Sequence, residues 1–255
     1  MNSLAHYVHL IRLCTHAQLK AETHRSYLGY FWWILEPLLN TFLFYSLFFL
    51  FLGKRTQQYL EFLLVGTLLW QWIQSTLQLA TTSILEKPHL LRQIKIPLSL
   101  FPITKTLANT TKFIIIYLIL LVYLILQNFL PSPIWLLLVP LLLLHTLLIF
   151  SFALPLALLT PFAPDIKTIL DALLRFLMLL SGIFFTVESI PAHLLPYFYA
   201  NPFAHILETH RSILLHNQIP PPHHWINSAL FILLLLPIGL ALLRFADGRI
   251  PKILK

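Results

Sequence analysis

Six apolar segments, at 34–53, 60–83, 106–127, 134–160, 168–186 and 226–246, punctuate this chain, and each is near the ~20 residues a helix needs to cross the hydrocarbon core of a bilayer. No other property constrains the fold as tightly. A segment that enters hydrocarbon must satisfy every backbone N–H and C=O within the protein, which makes helices the solution at these lengths. An even number of crossings returns both ends to one side. Arg12, Lys20 and Arg25 precede the first segment, and Lys87, Arg92, Lys95, Lys105 and Lys112 lie between or just inside the second and third. Lys167 and Arg175 flank the fourth and fifth, and Arg244, Arg249, Lys252 and Lys255 follow the last. Fourteen of the seventeen Lys and Arg residues therefore share the N-terminal side, against Lys54, Arg55 and Arg211 opposite. The positive-inside rule places both termini in the cytosol, with the Lys54 and Arg55 pair running against it.

Composition agrees. Only 10% of residues are charged and 58% are hydrophobic, with a mean hydropathy of +0.80, whereas about a quarter are charged in soluble domains. The 255 residues read as a single membrane domain over 1–255, without room for a soluble catalytic domain. A net charge of +8 raises nucleic-acid binding as a reading. The cations sit beside apolar segments instead of forming a basic patch interleaved with aromatics, so no nucleic-acid partner is expected. Cys14 is the single cysteine, which rules out an intramolecular disulfide and, on this topology, faces a reducing cytosol. His6, His9, Arg12, His16 and Lys20 interrupt the first thirty residues, so the first span is expected to act as an uncleaved insertion signal.

Residues 1–30 read as an interfacial cytosolic helix. Leu4, Tyr7, Val8, Ile11 and Cys14 mark one face and His9, Arg12, His16 and Lys20 the other. Gly29 is the place for the chain to turn into the first span. That span carries Glu36, Pro37 and Asn40, then Thr41, Phe44, Tyr45, Phe48 and Phe51 at helical spacing. Such a stripe suits lipid contact, packing against a neighbour, or a translocation path. Between the second and third spans, Pro88 and Pro97 bracket a short amphipathic helix, expected over 84–97, with Leu90, Leu91 and Ile94 on its apolar side. Pro140 and Pro155 predict a kinked fourth span. After the fifth, residues 187–225 remain outside as semi-apolar half-helices broken at Pro191, Pro196 and Pro202, a length that dips into a leaflet more readily than it crosses.

The chain lacks the familiar chemistries. Its six glycines make neither a phosphate loop nor a dinucleotide fingerprint. His205, Glu208 and His210 suggest zinc at first glance, but histidines five apart sit ~140° around a helix, unlike an i, i+4 pair. His223 and His224 read as a polar loop, and no metal is expected. Glu36, Asp171, Arg175 and Glu188 are too dispersed in sequence for a catalytic constellation. Glu36 and Asp171, near the cytosolic interface, are expected to pair with Arg25 or Arg175.

Four motifs in order point further. Arg25-Ser-Tyr-Leu-Gly-Tyr-Phe-Trp-Trp-Ile-Leu-Glu-Pro enters the first span. Glu86-Lys-Pro-His-Leu-Leu-Arg-Gln-Ile-Lys-Ile-Pro-Leu-Ser-Leu-Phe-Pro follows the second, Ala163-Pro-Asp-Ile-Lys precedes the fifth, and Tyr199-Ala-Asn-Pro-Phe-Ala-His-Ile-Leu-Glu-Thr-His-Arg follows it. On these the chain resembles the membrane (permease) subunit of type-2 ABC exporters, particularly those of lipid-linked polysaccharides such as O-antigen, capsule and teichoic acid. Ile96-Pro97 stands where the family usually has Phe-Pro, and a frequent Arg-Asp pair is missing from the turn before the fifth span.

The resemblance implies an all-α integral membrane fold of six transmembrane helices with both ends inside. It further implies a homodimer in the bacterial cytoplasmic (inner) membrane, bearing two cytosolic ABC ATPase subunits. ATP and Mg would be bound by the ATPase, and this chain would be no enzyme and carry no cofactor. Coupling to the ATPase would fall to Glu86, Lys87, His89, Leu91 and Arg92 of the short helix, with Asp165 and Lys167. Aromatic faces that stack on sugars nominate Phe44, Tyr45, Phe48, Trp70 and Trp72 for the substrate path. The external region supplies Tyr197, Tyr199, Asn201, Pro202 and Arg211 as an outer gate. An exporter of a small amphiphile or drug, a membrane acyl- or glycosyltransferase, and a scaffold protein stand as alternatives.

Overall fold

Among the described residues, which are 2–24, 29, 31–47, 58–86, 96–247 and 249–250 of a computed structural model, all regular structure is helical. The order is α1 (Asn2–His24), α2 (Phe31–Ser46), α3 (Tyr59–Thr82), α4 (Leu100–Leu126), a 3-10 turn (Pro133–Leu137) running into α5 (Leu138–Leu159), and α6 (Ile166–Leu180). Short 3-10 turns at Val187–Ser189 and Ala192–Leu194 lead to α7 (Leu195–Tyr199), α8 (Pro202–Leu214) and α9 (Pro222–Ala246).

The helix at the centre is a comparatively polar one. α3 packs against α2, α4, α5, α6 and α8, and Leu63, Val65, Leu69, Ile73, Leu77 and Ala80 are sealed from solvent. Its polar groups on the α4 side are consumed in pairs. Asn109 Nδ2 donates to Ser75 Oγ and Thr76 Oγ1, each at 2.7 Å. Trp72 Nε1 donates to Thr110 Oγ1 at 3.2 Å, and the Trp72 and Phe113 rings stack 4.2 Å apart. Toward α2, the hydroxyls of Thr41 and Thr67 share a 2.7 Å hydrogen bond. These bonds spare buried polar groups the desolvation penalty they would otherwise carry.

Among the described residues, three helices are long and apolar enough to cross a membrane: α4, the continuous Pro133–Leu159 helix and α9. Of the other three expected spans, the first runs beyond α2 into residues 48–53, which lie outside the described ones. α6 has only 15 residues. At 1.5 Å per residue, α6 reaches about 22 Å of a ~30 Å core. The expected fifth span at 168–186 is thus cut at Leu180, because Gly182 adopts φ +76° and turns the chain. α3 has the length but carries glutamines and hydroxyls along one face.

Proline effects are local. Pro140 lies in the first α-helical turn after the 3-10 stretch, whereas Pro155 and Pro237 lie inside their helices. Pro202 occupies the first position of α8, and Asn201 caps it by accepting from Phe203 N–H at 3.0 Å. α1 rests on the start of α4, with Tyr7 Oη and Ser99 Oγ 2.8 Å apart. Its packed side runs through Tyr7, Ile11 and Cys14 as expected, but Val8 faces outward beside His9, Arg12 and His16.

α5 and α9 form an extensive pair whose close approach depends on Gly239. A Cβ there would stand 2.9 Å from Leu154 Cδ2 and 3.2 Å from Pro155 Cδ. Gly239→Leu should lower the melting temperature in detergent, at the ~1–3 kcal/mol typical of overpacking. Gly239→Ala, which needs only the end of Leu154 to shift, should cost less.

Candidate functional site

One polar face of α3 borders open space. Gln71, Gln74, Ser75, Gln78 and Thr82 recur at helical spacing and open onto two adjoining cavities. The first has a volume of about 400 Å³ and is walled by Trp33, Glu36 and Pro37 of α2, Asn109, Lys112 and Phe113 of α4, and Lys167 and Asp171 of α6. The second, about 240 Å³, adds Asn40, Phe44, Thr67, Trp70 and Met178. Glu36, Gln71, Ser75 and Gln78 line both, so the two chambers form one lane along α3. The larger lies within the ~300–1,000 Å³ usual for ligand sites.

Polar groups in the lane are oriented by bonds to each other. Gln78 Nε2 donates to Asp171 Oδ1 at 2.7 Å, and Trp70 Nε1 donates to Gln74 Oε1 at 3.0 Å. Lys112 Nζ lies 5.5 Å from the centre of the Trp33 ring, a cation–π contact. Asp171 is therefore held by Gln78, and not by Arg175 as expected.

The nominated path residues divide. Phe44 and Trp70 line the second chamber and Trp72 the first. Tyr45 instead packs against the core, and Phe48 is outside the described residues. Of the nominated coupling residues, Lys87, His89, Leu91 and Arg92 are also outside them, as is most of the 84–97 segment. Glu86 accepts from Thr82 Oγ1 at 2.8 Å and from Lys105 Nζ at 2.9 Å, tying the end of α3 to α4. Asp165 is exposed just before α6, and Lys167 reaches the first chamber.

The outer-gate set does not form one constellation. Tyr197 is 77% exposed. Tyr199 stacks on His205, whose Nε2–H donates to the Tyr199 carbonyl at 2.9 Å. Asn201, besides capping α8, donates to Ser181 Oγ at 2.8 Å. Arg211 is 2% exposed. Its Nη1 donates to Gly182 O at 2.6 Å, and its Nη2 donates to Ile183 O at 3.1 Å and Phe62 O at 3.2 Å. The guanidinium sits 3.5 Å from the Phe62 ring centre and 3.4 Å from Glu208 Oε1. Burial lowers the Arg211 pKa to about 10, which leaves it charged at neutral pH, and raises that of Glu208 against the opposing pull of Arg211. Arg211 is a clamp that satisfies the broken backbone after α6. Gly66 makes room for it, since a Cβ there would stand within van der Waals overlap of the guanidinium.

His205 and His210 have separate surroundings. His205 Nδ1 accepts from His224 Nδ1–H at 2.7 Å, while His210 Nδ1–H donates to Ile206 O at 2.8 Å and its ring faces Tyr117 and His145. Among the described residues, no group of three or more His, Cys, Asp or Glu side chains is arranged to hold a metal ion.

The sequence reading missed the role of Gln71, Gln74, Ser75 and Gln78. Their signal was present as a polar period of three and four inside an apolar segment.

Fold and site together define a helical membrane protein built around an internal polar lane edged with aromatic rings. The chain belongs to the ABC-2 type transporter family, which matches residues 9–215. It is similar to two Klebsiella pneumoniae proteins named O-antigen export system permease protein RfbA, each 22% identical over 99% of this chain and 97% of the relative. A Myxococcus xanthus protein of the same name is 24% identical over 45% of this chain and 44% of its own length.

Removing one partner of a buried ion pair costs about 3–5 kcal/mol. Arg211→Met should destabilise on that scale, and Gly66→Val should do likewise by displacing the guanidinium. Thermal melts of the double variant should show much less than the summed loss, because both act on one contact.

Burial holds the His210 pKa down to about 4 and also depresses that of His205, below the ~6.5 of a free imidazole. The unfolded chain then binds more protons between those values, so stability is complete above about pH 6.5 and declines as pH falls toward 4. Melting temperatures across pH 4–7 should follow that course, with a shallower decline in His210→Asn.

Proposed function

We propose that this chain is the permease subunit of an ATP-driven exporter that moves a lipid-linked polysaccharide across the bacterial cytoplasmic membrane. The lane along α3 carries this reading. Its glutamine, asparagine and serine groups offer donors and acceptors to sugar hydroxyls, and Trp33, Phe44, Trp70 and Trp72 edge the same space. Single neutral hydrogen bonds contribute only about 0.5–1.5 kcal/mol net. A polymer can exchange one set for the next as it advances, meeting the requirement that binding in a conduit be strong enough to enter and weak enough to leave. The names of the relatives, which are O-antigen export permeases, support a glycan as cargo.

In this arrangement α2, α3, α4, α5, α6 and α9 are the six crossings, both ends are cytosolic, and α7 and α8 lie at the outer face. α6 completes its crossing with the chain that follows it. Two copies assemble with two cytosolic ABC ATPase subunits, which bind ATP and Mg. The 84–97 segment, with Asp165 and Lys167, receives the movement of the ATPases. Glu86 lends that segment a fixed root through its bonds to α3 and α4. Tyr197 and Tyr199 face the exit, while Asn201 and Arg211 hold the exit helices in place.

The test is to co-express the chain with its partner ATPase and measure ATP hydrolysis with and without a lipid-linked glycan. A complex stimulated by glycan is the expected result, and absence of any ATPase complex from a folded preparation would refute the assignment. Gln71→Leu should reduce the glycan stimulation at least several-fold while leaving complex assembly intact. Unchanged stimulation would remove the lane from the path.

A further inference from the structure

The charges along the lane are unevenly distributed. The first chamber is lined by two carboxylates, Glu36 and Asp171, and two ammonium groups, Lys112 and Lys167, which cancel. Among the described residues, the second is lined by the amides of Asn40, Gln71, Gln74 and Gln78 and by hydroxyls, with Glu36 as its charged residue and no Lys or Arg. A phosphodiester or uronate unit entering it would shed water and meet a carboxylate, with the lysines of the described wall confined to the first chamber. A neutral sugar loses only hydroxyl hydration, which amide groups of both donor and acceptor character can replace.

Building on the exporter reading above, we propose that the lane is selective for polysaccharides whose repeating units carry no ionised group, and that Glu36 and Asp171 enforce the exclusion of anionic ones. Glu36 is the principal discriminator, because it borders both chambers. Asp171, oriented by Gln78, joins Glu36 in balancing the two lysines at the wider end.

The experiment uses the full chain with its ATPase in lipid nanodiscs, with binding followed by tryptophan fluorescence. Trp33, Trp70 and Trp72 are in the lane walls. The probes are mannotetraose, which is neutral, and tetragalacturonate, of equal length but anionic. The native protein should bind mannotetraose at least about tenfold more tightly. Glu36→Gln combined with Asp171→Asn, which keeps side-chain shape and the Gln78 bond, should tighten tetragalacturonate binding by about tenfold and so remove most of the native preference. Equal or tighter binding of tetragalacturonate by the native protein would overturn the proposal, as would a double variant with the native preference. If neither probe binds to a complex that assembles and hydrolyses ATP, the lane assignment falls while the exporter reading stands. If no complex forms, the exporter reading falls, and the same titration on the chain alone still decides the selectivity.

Discussion

The backbone of a membrane protein can be broken only where something replaces the lost hydrogen bonds, and much of this structure follows from how that is done at the end of α6. The helix stops at Leu180, Gly182 reverses the chain, and carbonyls of residues 182 and 183 point into the protein. Arg211 answers them with one guanidinium that also reaches Phe62 O on α3. Its fork of donors suits several carbonyls at once, which an ammonium point charge does less well. The consequence is mechanical: α3, the α6 terminus and α8 meet at a single side chain, and α8 cannot shift far without withdrawing that side chain's donors from the carbonyls of residues 182 and 183.

α3 joins this clamp to the lane. Its two polar faces are treated oppositely. On the side of Asn109 and Thr110, polar groups are bonded to α4 and fix the helix pair. On the side of Gln71, Gln74 and Gln78 they border open space, some of them braced by Asp171 or Trp70. The rigid seam lets the open face be polar without the helix being displaced by water or partner groups. Stacking of Trp72 on Phe113 adds a flat apolar wall to that seam.

Helix placement was largely legible, because apolar length is a local property. α4, the Pro133–Leu159 helix and α9 fall close to their expected ranges. The shortening of α6 was less so: hydropathy continues through Ile183, Phe184 and Phe185, and only the positive φ of Gly182 reveals the turn. Asn201-Pro202 was visible as a motif, and its physical role as a helix cap and first turn is what such a dipeptide does best. Arg211 was visible as one of three cations on the outer side, but its carbonyl partners come from α3 and the α6 terminus, 28 to 149 residues away. No periodicity encodes such a meeting. The lane was half legible, since the aromatic emphasis found Phe44, Trp70 and Trp72 but passed over the glutamine stripe between them.

The polarity of α3 also bears on how such a protein is made. A helix with glutamines and hydroxyls on one face gains little from entering lipid by itself, whereas α4 is apolar enough to do so. Asn109 and Thr110 of α4 offer partners for Ser75, Thr76 and Trp72. In a six-span arrangement, α3 and α4 would therefore be integrated as a hairpin, the later-synthesised helix drawing the earlier one out of the translocation channel. Asn109 would then act first as a chaperoning contact during biogenesis and only afterwards as a structural bond.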